Sequence, residues 1–138
     1  MNKEYAIVTD GSCDLPRELC QEKGITVVPF YVSFDGEKYE KEIVEMPIRQ
    51  FYEDMVKNPK VFPKSSMPSV QDYMDAFMPI VQEGKAIICI CITTKFSGSM
   101  QSALNARMMI LEQHPDAEIT VIDATINTVL QGIYVLEA

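Results

Sequence analysis

Ala86-Ile87-Ile88-Cys89-Ile90-Cys91-Ile92, running on into Thr93-Thr94-Lys95-Phe96-Ser97-Gly98-Ser99, is the stretch that decides the fold. Its first half is apolar without interruption. A strand with one wet face alternates apolar and polar side chains. A strand covered by helices on both faces does not, so this run predicts an interior strand of a parallel sheet. The second half is small and polar, and Met100 to Gln113 then reads as a helix. Strand, hydroxyl-bearing loop and helix N-terminus, in that order, make an anion seat. The first helical N–H groups lack intrahelical partners, and the helix dipole favours negative charge there. Gly98 lets a ligand approach the backbone, and the hydroxyls of Ser97 and Ser99 can donate to it. The plainer reading, that serine favours turns and caps, stays open beside it. A glycine between two hydroxyls is nevertheless more than capping requires.

Working outward, strands and helices alternate. Tyr5 to Thr9 reads as a short buried strand, Asp10 to Asp14 as a turn, and Leu15 to Lys23 as a short helix with Pro16 near its start and Gly24 at its end. Ile25 to Phe34 is rich in β-branched and aromatic residues and predicts a second strand despite Pro29. Asp35-Gly36 predicts a hairpin turn, with Glu37 to Glu40 returning as an edge strand. Pro47 to Lys57 predicts a helix with Ile48, Phe51, Tyr52 and Met55 on one side. Asn58 to Ser69, holding Pro59, Pro63 and Pro68, reads as a loop. Ser69 caps a helix running to about Glu83, with Gly84 beyond it and Pro79 as a point of kinking. Glu118 to Ile122 is a further strand, Asp123 to Thr128 a polar turn, and Val129 to Ala138 the start of another helix. The expected fold is α/β and three-layered, a largely parallel sheet with flanking helices. The last helical pattern reaches Ala138 with no cap. That predicts one domain over 1–128, with 129–138 leading to a second domain.

Composition narrows the function classes. A chain of 138 residues can bury the core of one domain. A net charge of −8 excludes nucleic acid as a partner. It also opposes docking of the whole chain on anionic lipid, leaving transient membrane contact to a local basic patch. No apolar run is long enough to span a bilayer, and Met1-Asn2-Lys3-Glu4 leads straight into a strand with no signal-peptide pattern. Cys89 and Cys91 share one strand face, and no pair has the spacing of a redox C-x-x-C or a zinc knuckle. Cys13, Cys20, Cys89 and Cys91 are therefore expected as reduced thiols in a cytoplasmic protein, without metal or cofactor.

In open parallel sheets ligands bind outside the carboxyl ends of the strands. The turns 10–14, 93–99 and 123–128 all follow strands, and the loop 64–69 is expected at the same rim. Ser12, Ser65, Ser66, Ser97, Gly98 and Ser99 are thus the candidate ligand contacts, able to hold a carboxylate or phosphate without a fixed charge. A catalytic set does not assemble around them. The only histidine, His114, falls about 25 Å from Ser97 along the intervening helix. Lys95 reads as a surface lysine more readily than as a base, and the P-loop pattern is absent. Asp10-Gly11-Ser12 lacks the second aspartate of aspartyl phosphatases. The expectation is a binding protein and not an enzyme. Met67, Met74, Met78, Met100, Met108 and Met109 fall on or beside the helices flanking the polar loops. Core packing accounts for most of them, and their flexible thioethers also suit an unbranched apolar ligand.

Four segments carry a family resemblance. Ile7-Val8-Thr9-Asp10-Gly11-Ser12-Cys13-Asp14-Leu15-Pro16, Lys64-Ser65-Ser66-Met67-Pro68-Ser69, Ser97-Gly98-Ser99-Met100-Gln101-Ser102-Ala103 and Val121-Ile122-Asp123 together resemble the DegV family, in order over essentially the whole chain. The resemblance implies binding of a long-chain fatty acid such as palmitate. It also implies a role as the lipid-carrying subunit of a fatty acid kinase, presenting the acyl carboxylate to a separate kinase subunit. By the same resemblance Ser65 and Ser97 are the hydroxyls that meet the carboxylate, and Thr125 to Thr128 loosely matches the turn after the last strand. Ser65 and Ser99 stand where the family has threonine, so the hydroxyls remain and the stiffening methyl groups do not. Family members also carry a second domain that closes over the acyl chain and supplies an arginine and a histidine. The resemblance covers only the first domain and the start of its linking helix, which implies weak fatty-acid binding by these residues alone. Two other readings stand beside it. One is a phosphotransferase or hydrolase of small phosphorylated compounds using the same anion seat. The other is a protein-interaction domain whose hydroxyl loops are only caps.

Overall fold

The computed structural model describes residues 3–138, so Met1 and Asn2, at the head of the expected first strand, lie outside the described residues. The chain divides into two compact units, residues 3–28 with 68–138 and residues 29–67. The first unit is the α/β body. Its elements are β1 (Tyr5–Asp10), α1 (Arg17–Lys23), β2 (Thr26–Val28) and, after the second unit, α3 (Val70–Gln82), β6 (Ala86–Cys91), α4 (Ser99–Gln113), β7 (Ile119–Asp123) and α5 (Thr128–Glu137). The four strands are all parallel, in the order β2-β1-β6-β7.

The uninterrupted apolar run forms β6 for the expected reason. Ile87, Cys89 and Cys91 face one core with Tyr73 and Phe77 of α3 and Ala103, Ala106 and Ile110 of α4. Ile90 faces the opposite core with Ala124 and Val135 of α5, flanked by Ile7, Leu15 and Ile88. Both faces are dry, and the architecture is three-layered. Ser69 starts α3 through a reciprocal capping box: Asp72 N donates to Ser69 Oγ at 3.1 Å, and Ser69 N donates to Asp72 Oδ2 at 2.8 Å. Pro79 lies inside α3 without ending it. Gly24 closes α1 at φ +67°, where a side chain would be strained.

The last helix is pressed against the one-turn 3-10 helix Gly11–Cys13. A Cβ built on Gly132 would stand 2.4 Å from the Cys13 carbonyl oxygen. Alanine favours a helix over glycine by about 1 kcal/mol. Overpacking against backbone costs about 1–3 kcal/mol, so Gly132→Ala is expected to destabilise the protein by a net of up to ~2 kcal/mol. A urea melt checks this, and a stabilised variant would mean that α5 does not hold this close approach.

The second unit holds β3 (Tyr31–Ser33), β4 (Glu40–Lys41), α2 (Ile48–Lys57) and β5 (Lys64–Ser66), with an antiparallel sheet ordered β4-β3-β5. Three expectations are corrected here. The single strand over 25–34 is two strands, β2 and β3, in two different sheets. Pro29 has no N–H to continue a ladder, and the next residue bonds away from it, Phe30 N donating to Glu42 Oε1 at 3.0 Å. The loop over 58–69 contains β5, which is short, polar and enclosed by Pro63 and Pro68, so no alternation marks it. β3 and β4 pair as a hairpin, but through the longer connection 34–39 instead of a tight turn at Asp35-Gly36. Asp35 Oδ1 accepts from Ser33 Oγ, Glu37 N and Lys38 N at 3.0, 2.7 and 2.8 Å, which holds its carboxyl below the ordinary value. The returning strand is shorter and later than 37–40. Among the described residues no helix is long and apolar enough to cross a membrane.

Candidate functional site

The order of the parallel strands fixes where a ligand can approach. From β1 the chain moves outward to β2 on one side, and from β6 outward to β7 on the other. The general rule for open parallel sheets points to the carboxyl ends of β1 and β6, where the two loops diverge. Asp10 ends β1 and Ile92 follows β6 there.

Asp10 is fully buried and is the hub of the rim. Its Oδ2 accepts from Ile92 N and Ser99 Oγ, both at 2.9 Å. Its Oδ1 accepts from Gln131 Nε2 at 2.9 Å and Ser12 N at 3.3 Å. Four donors and no acceptor are the partners of an ionised carboxylate. Burial pushes its pKa above the usual carboxylate value, and the hydrogen bonds from Gln131, Ile92, Ser99 and Ser12 pull against that rise. Gln131 Nε2 also donates to Thr9 Oγ1 at 3.1 Å, and Thr9 Oγ1 donates to the Ile90 carbonyl at 2.8 Å. One carboxylate thereby ties together β1, the loop after β6, α4 and α5.

Ser99 and Ser97 have opposite situations. Ser99 is fully buried, and its proton goes to Asp10. Tyr73 OH, 2.6 Å from Ser99 Oγ, must then be the donor of that contact. Burial, with Cys91 and Asp10 nearby, drives the Tyr73 phenol upward, which keeps it protonated for this role. Ser97 is half-buried, and its Oγ accepts from Ser99 N at 3.2 Å. Among the described residues its hydroxyl proton has no acceptor. Gly98, exposed, is the N-cap of α4 and supplies no capping side chain. The sequence grouped Ser97, Gly98 and Ser99 as equivalent contacts. The structure brings them together but leaves only Ser97 and the backbone of Gly98 open to solvent.

Ser12 is half-buried, and its Oγ accepts from Thr128 N at 3.3 Å at the start of α5. Thr128 and Thr125 hold φ of +53° and +60°, in the left-handed region that β-branched residues avoid. Asp123 binds this turn to the β6 loop, accepting from Thr94 Oγ1 at 2.7 Å and Thr125 N at 2.8 Å, which holds its carboxyl low. Ser65 and Ser66 lie on β5 in the second unit, both exposed. His114 is the C-cap of α4, at the opposite end of that helix from Ser97.

Tyr73 and Gln131 are members of the network beneath the candidate site that sequence reasoning missed. Tyr73 reads as one more large residue on an amphipathic helix. Gln131 carried the better signal: it is a lone polar residue in Val129-Leu130-Gln131-Gly132-Ile133, and it proves fully buried, with Oε1 lacking a partner. Asp10 was read as a turn-maker. It is one, through Ser12 N, and it is the network's centre as well. The four cysteines are buried free thiols, and among the described residues no cluster of His, Cys, Asp or Glu could hold a metal ion.

The model of the DegV family, described as one of uncharacterised proteins, matches residues 4–138. A DegV domain-containing protein of Caldanaerobacter subterraneus is 35% identical over 136 residues, 99% of this chain and 46% of that protein. A solved stearic acid-binding protein from Eubacterium ventriosum is 46% identical with a TM-score of 0.94, over 96% of this chain and 45% of its own. DegV of Bacillus subtilis, described as a fatty acid binding protein, is 27% identical with a TM-score of 0.83, over 98% of this chain and 46% of its own. The chain spans slightly under half the length of the relatives it matches. Fold, motif order and family match agree: the chain belongs to the DegV family.

Proposed function

We propose that the protein binds a long-chain fatty acid, its carboxylate seated on the Ser97 hydroxyl and the N–H groups opening α4. One observation carries this reading. Ser97 stands half-open at the start of a 15-residue helix that no N-cap side chain closes, with a hydroxyl proton that has no acceptor among the described residues. The helix dipole and the free N–H groups favour a negative head group there. Neutral donors suit a chain of net charge −8, because they need no buried cation to balance the acid. Ser99 is assigned a supporting role. Locked between Asp10 and Tyr73, it fixes the backbone N–H that orients Ser97. For the acyl tail, α3 and α4 offer an open groove of about 560 Å³ lined by Val70, Met74, Met108 and Met109, with Gln71, Asn105 and Glu112 as its polar members. Each methylene removed from water there contributes about 0.8 kcal/mol.

Among the described residues no side chain accepts the Ser97 proton as a general base would. In this reading the acid is carried and not converted, its carboxylate presented at the rim to a separate kinase subunit. Buried reduced cysteines fit a cytoplasmic place of action. For Ser65 and Ser66 a ligand contact rests on their place in the polar 64–69 loop and, for Ser65, on the family resemblance, and Ser65→Ala tests it separately.

Solvent extraction of the purified protein followed by mass spectrometry tests the binding. A long-chain acid in less than equimolar amount is the expected result, in line with the weak binding expected of these residues alone. Adding a fatty acid kinase subunit and ATP should then yield acyl phosphate only when the protein is present. Recovery of no lipid, with phosphate released from small esters by the protein alone, would overturn the reading in favour of a hydrolase.

A further inference from the structure

Behind Ser99 the core holds polar groups that head-group binding does not call on. Tyr73, Cys91 and Cys89 are fully buried and stand in line. Asp10 Oδ2 is 2.9 Å from Ser99 Oγ, and Ser99 Oγ is 2.6 Å from Tyr73 OH. Tyr73 OH is 3.6 Å from Cys91 Sγ, which is 3.7 Å from Cys89 Sγ. Every group after Asp10 carries one proton and can also accept one. Such a line can be satisfied in two ways. With Asp10 ionised, each proton points toward it: Cys89 donates to Cys91, Cys91 to Tyr73, Tyr73 to Ser99 and Ser99 to Asp10. With Asp10 protonated on Oδ2, all four bonds turn round: Asp10 donates to Ser99, Ser99 to Tyr73, Tyr73 to Cys91 and Cys91 to Cys89. Oδ2 keeps Ile92 N as a donor, and Oδ1 keeps Gln131 Nε2 and Ser12 N. The reversal moves protons only, so Ser99 N still holds Ser97. The line ends on sulfur, where an unpaired proton costs least because S–H is a weak donor. Alanine or valine could fill the same space but would break the line.

We infer that this line lets the protein bind a carboxylate together with one proton: the acid stays ionised on the Ser97 seat, and a proton from solvent goes to Asp10 Oδ2. The reason is electrostatic. A head group at the opening of α4 brings a second negative charge close to a buried carboxylate, and two such charges favour protonation of one of them. The net charge of the site is then unchanged by binding. Asp10 is the group that takes the proton. The seat offers the ligand donors, which favour its ionised form, whereas Asp10 has in Ser99 a neighbour able to accept. Burial, which raises the pKa of Asp10, acts in the same direction. No cation faces it. The titratable groups around Asp10 are Tyr73 of α3, Cys89 and Cys91 of β6 and Cys13 of the 3-10 helix. The helices α4 and α5 present Ser99 and Gln131, and β2 pairs Val28 with it. Burial drives Tyr73 and Cys89 upward and Cys13 to about 12, which keeps all three neutral. Asp10 has no exposed surface, so no charge touches it from outside this packing. The inference deepens the fatty-acid reading and rests on it for the identity of the ligand.

The test is infrared difference spectroscopy of the protein with and without palmitate, the ligand isotope-labelled at its carboxyl carbon to separate its bands from those of Asp10. Binding near neutral pH is expected to produce a protonated-carboxyl band at the unlabelled position and, with it, a shift of the thiol S–H band. Asp10→Asn should remove the new band. Tyr73→Phe cuts the line between Ser99 and Cys91, so the S–H band should stay still in it. Palmitate affinity should fall as pH rises, by up to about tenfold per pH unit, and lose most of that dependence in Asp10→Asn. The ligand-free wild type gives an independent reading that needs no variant to fold. Thiols do not titrate in acid, so an S–H shift on acidification reports the proton arriving at Asp10. A protonated band from the labelled carbon overturns the assignment by placing the proton on the ligand. Palmitate bound with neither band changed overturns it, as does an S–H band that acid leaves still or that palmitate moves equally in Tyr73→Phe. An acid-driven S–H shift in a protein that retains no palmitate removes the fatty-acid reading and leaves the reversible line in place.

Discussion

Replacing Ser97 with alanine is expected to weaken binding of a long-chain fatty acid by about 10–100-fold, the loss of one hydrogen bond to a charged group worth about 1.5–3 kcal/mol. Ser97 is half-buried, and no acceptor among the described residues takes its proton. Removing the hydroxyl also takes away the acceptor of Ser99 N, a part-buried bond at 3.2 Å, which adds a smaller cost to the loop itself. Two controls separate these effects. Ser97→Thr keeps the hydroxyl and should retain most of the affinity. Ser99→Ala removes no ligand contact in this scheme. It strips an internal partner from Asp10 and Tyr73, so it should lower the thermal midpoint more than Ser97→Ala does. Fluorescent fatty-acid displacement alongside thermal melts reads both quantities. An affinity change under about threefold for Ser97→Ala, smaller than a neutral hydrogen bond is worth, would place the head group elsewhere.

What could be read in the sequence, and what could not, divides along physical lines. The parallel body was legible because its signals are local. An unbroken apolar run needs two dry faces, Ser69 before an amphipathic stretch reads as a cap, and Gly24 reads as a helix end. The small antiparallel sheet was not legible. Its strands are two or three residues long, too short for alternation, and β5 acquires its conformation only by pairing with β3. The site follows the same rule. Ser97 and Gly98 announced themselves because loop, glycine and helix start are contiguous. The network beneath them joins residues 10, 73, 99 and 131, far apart in the chain, and no spacing rule links a buried aspartate to a glutamine 121 positions away. Ser99 shows the consequence. Its residue type argued for a ligand contact, and only the positions of Asp10 and Tyr73 show that its hydroxyl is already committed.

That hub carries the other large expected effect. Asp10→Ala would leave Ile92 N, Ser12 N, Ser99 Oγ and Gln131 Nε2 without their acceptor, at a position with no exposed surface. Each stranded donor costs about 1–3 kcal/mol, and partial relaxation around the small cavity recovers some of the sum. A loss of roughly 3–4 kcal/mol is expected, within the range for a broken buried network. For a chain of this size that is a fall of about 10 °C in thermal midpoint. Asp10→Asn keeps the shape and one acceptor oxygen, so it should lose less, and its pH dependence tests the electrostatics. Burial raises the folded pKa of Asp10 above the ordinary 3.8. A raised acid contributes its stability fully below the unfolded pKa and loses it as pH rises through the folded value. Asparagine does not titrate. The stability gap between the wild type and Asp10→Asn should therefore narrow as pH rises from about 4 toward neutrality, and below about 4 it should stay at its widest. Urea melts of both proteins across that range measure it. A gap that widens with rising pH would mean that the four donors outweigh burial, so that the ionised form is the one the fold prefers.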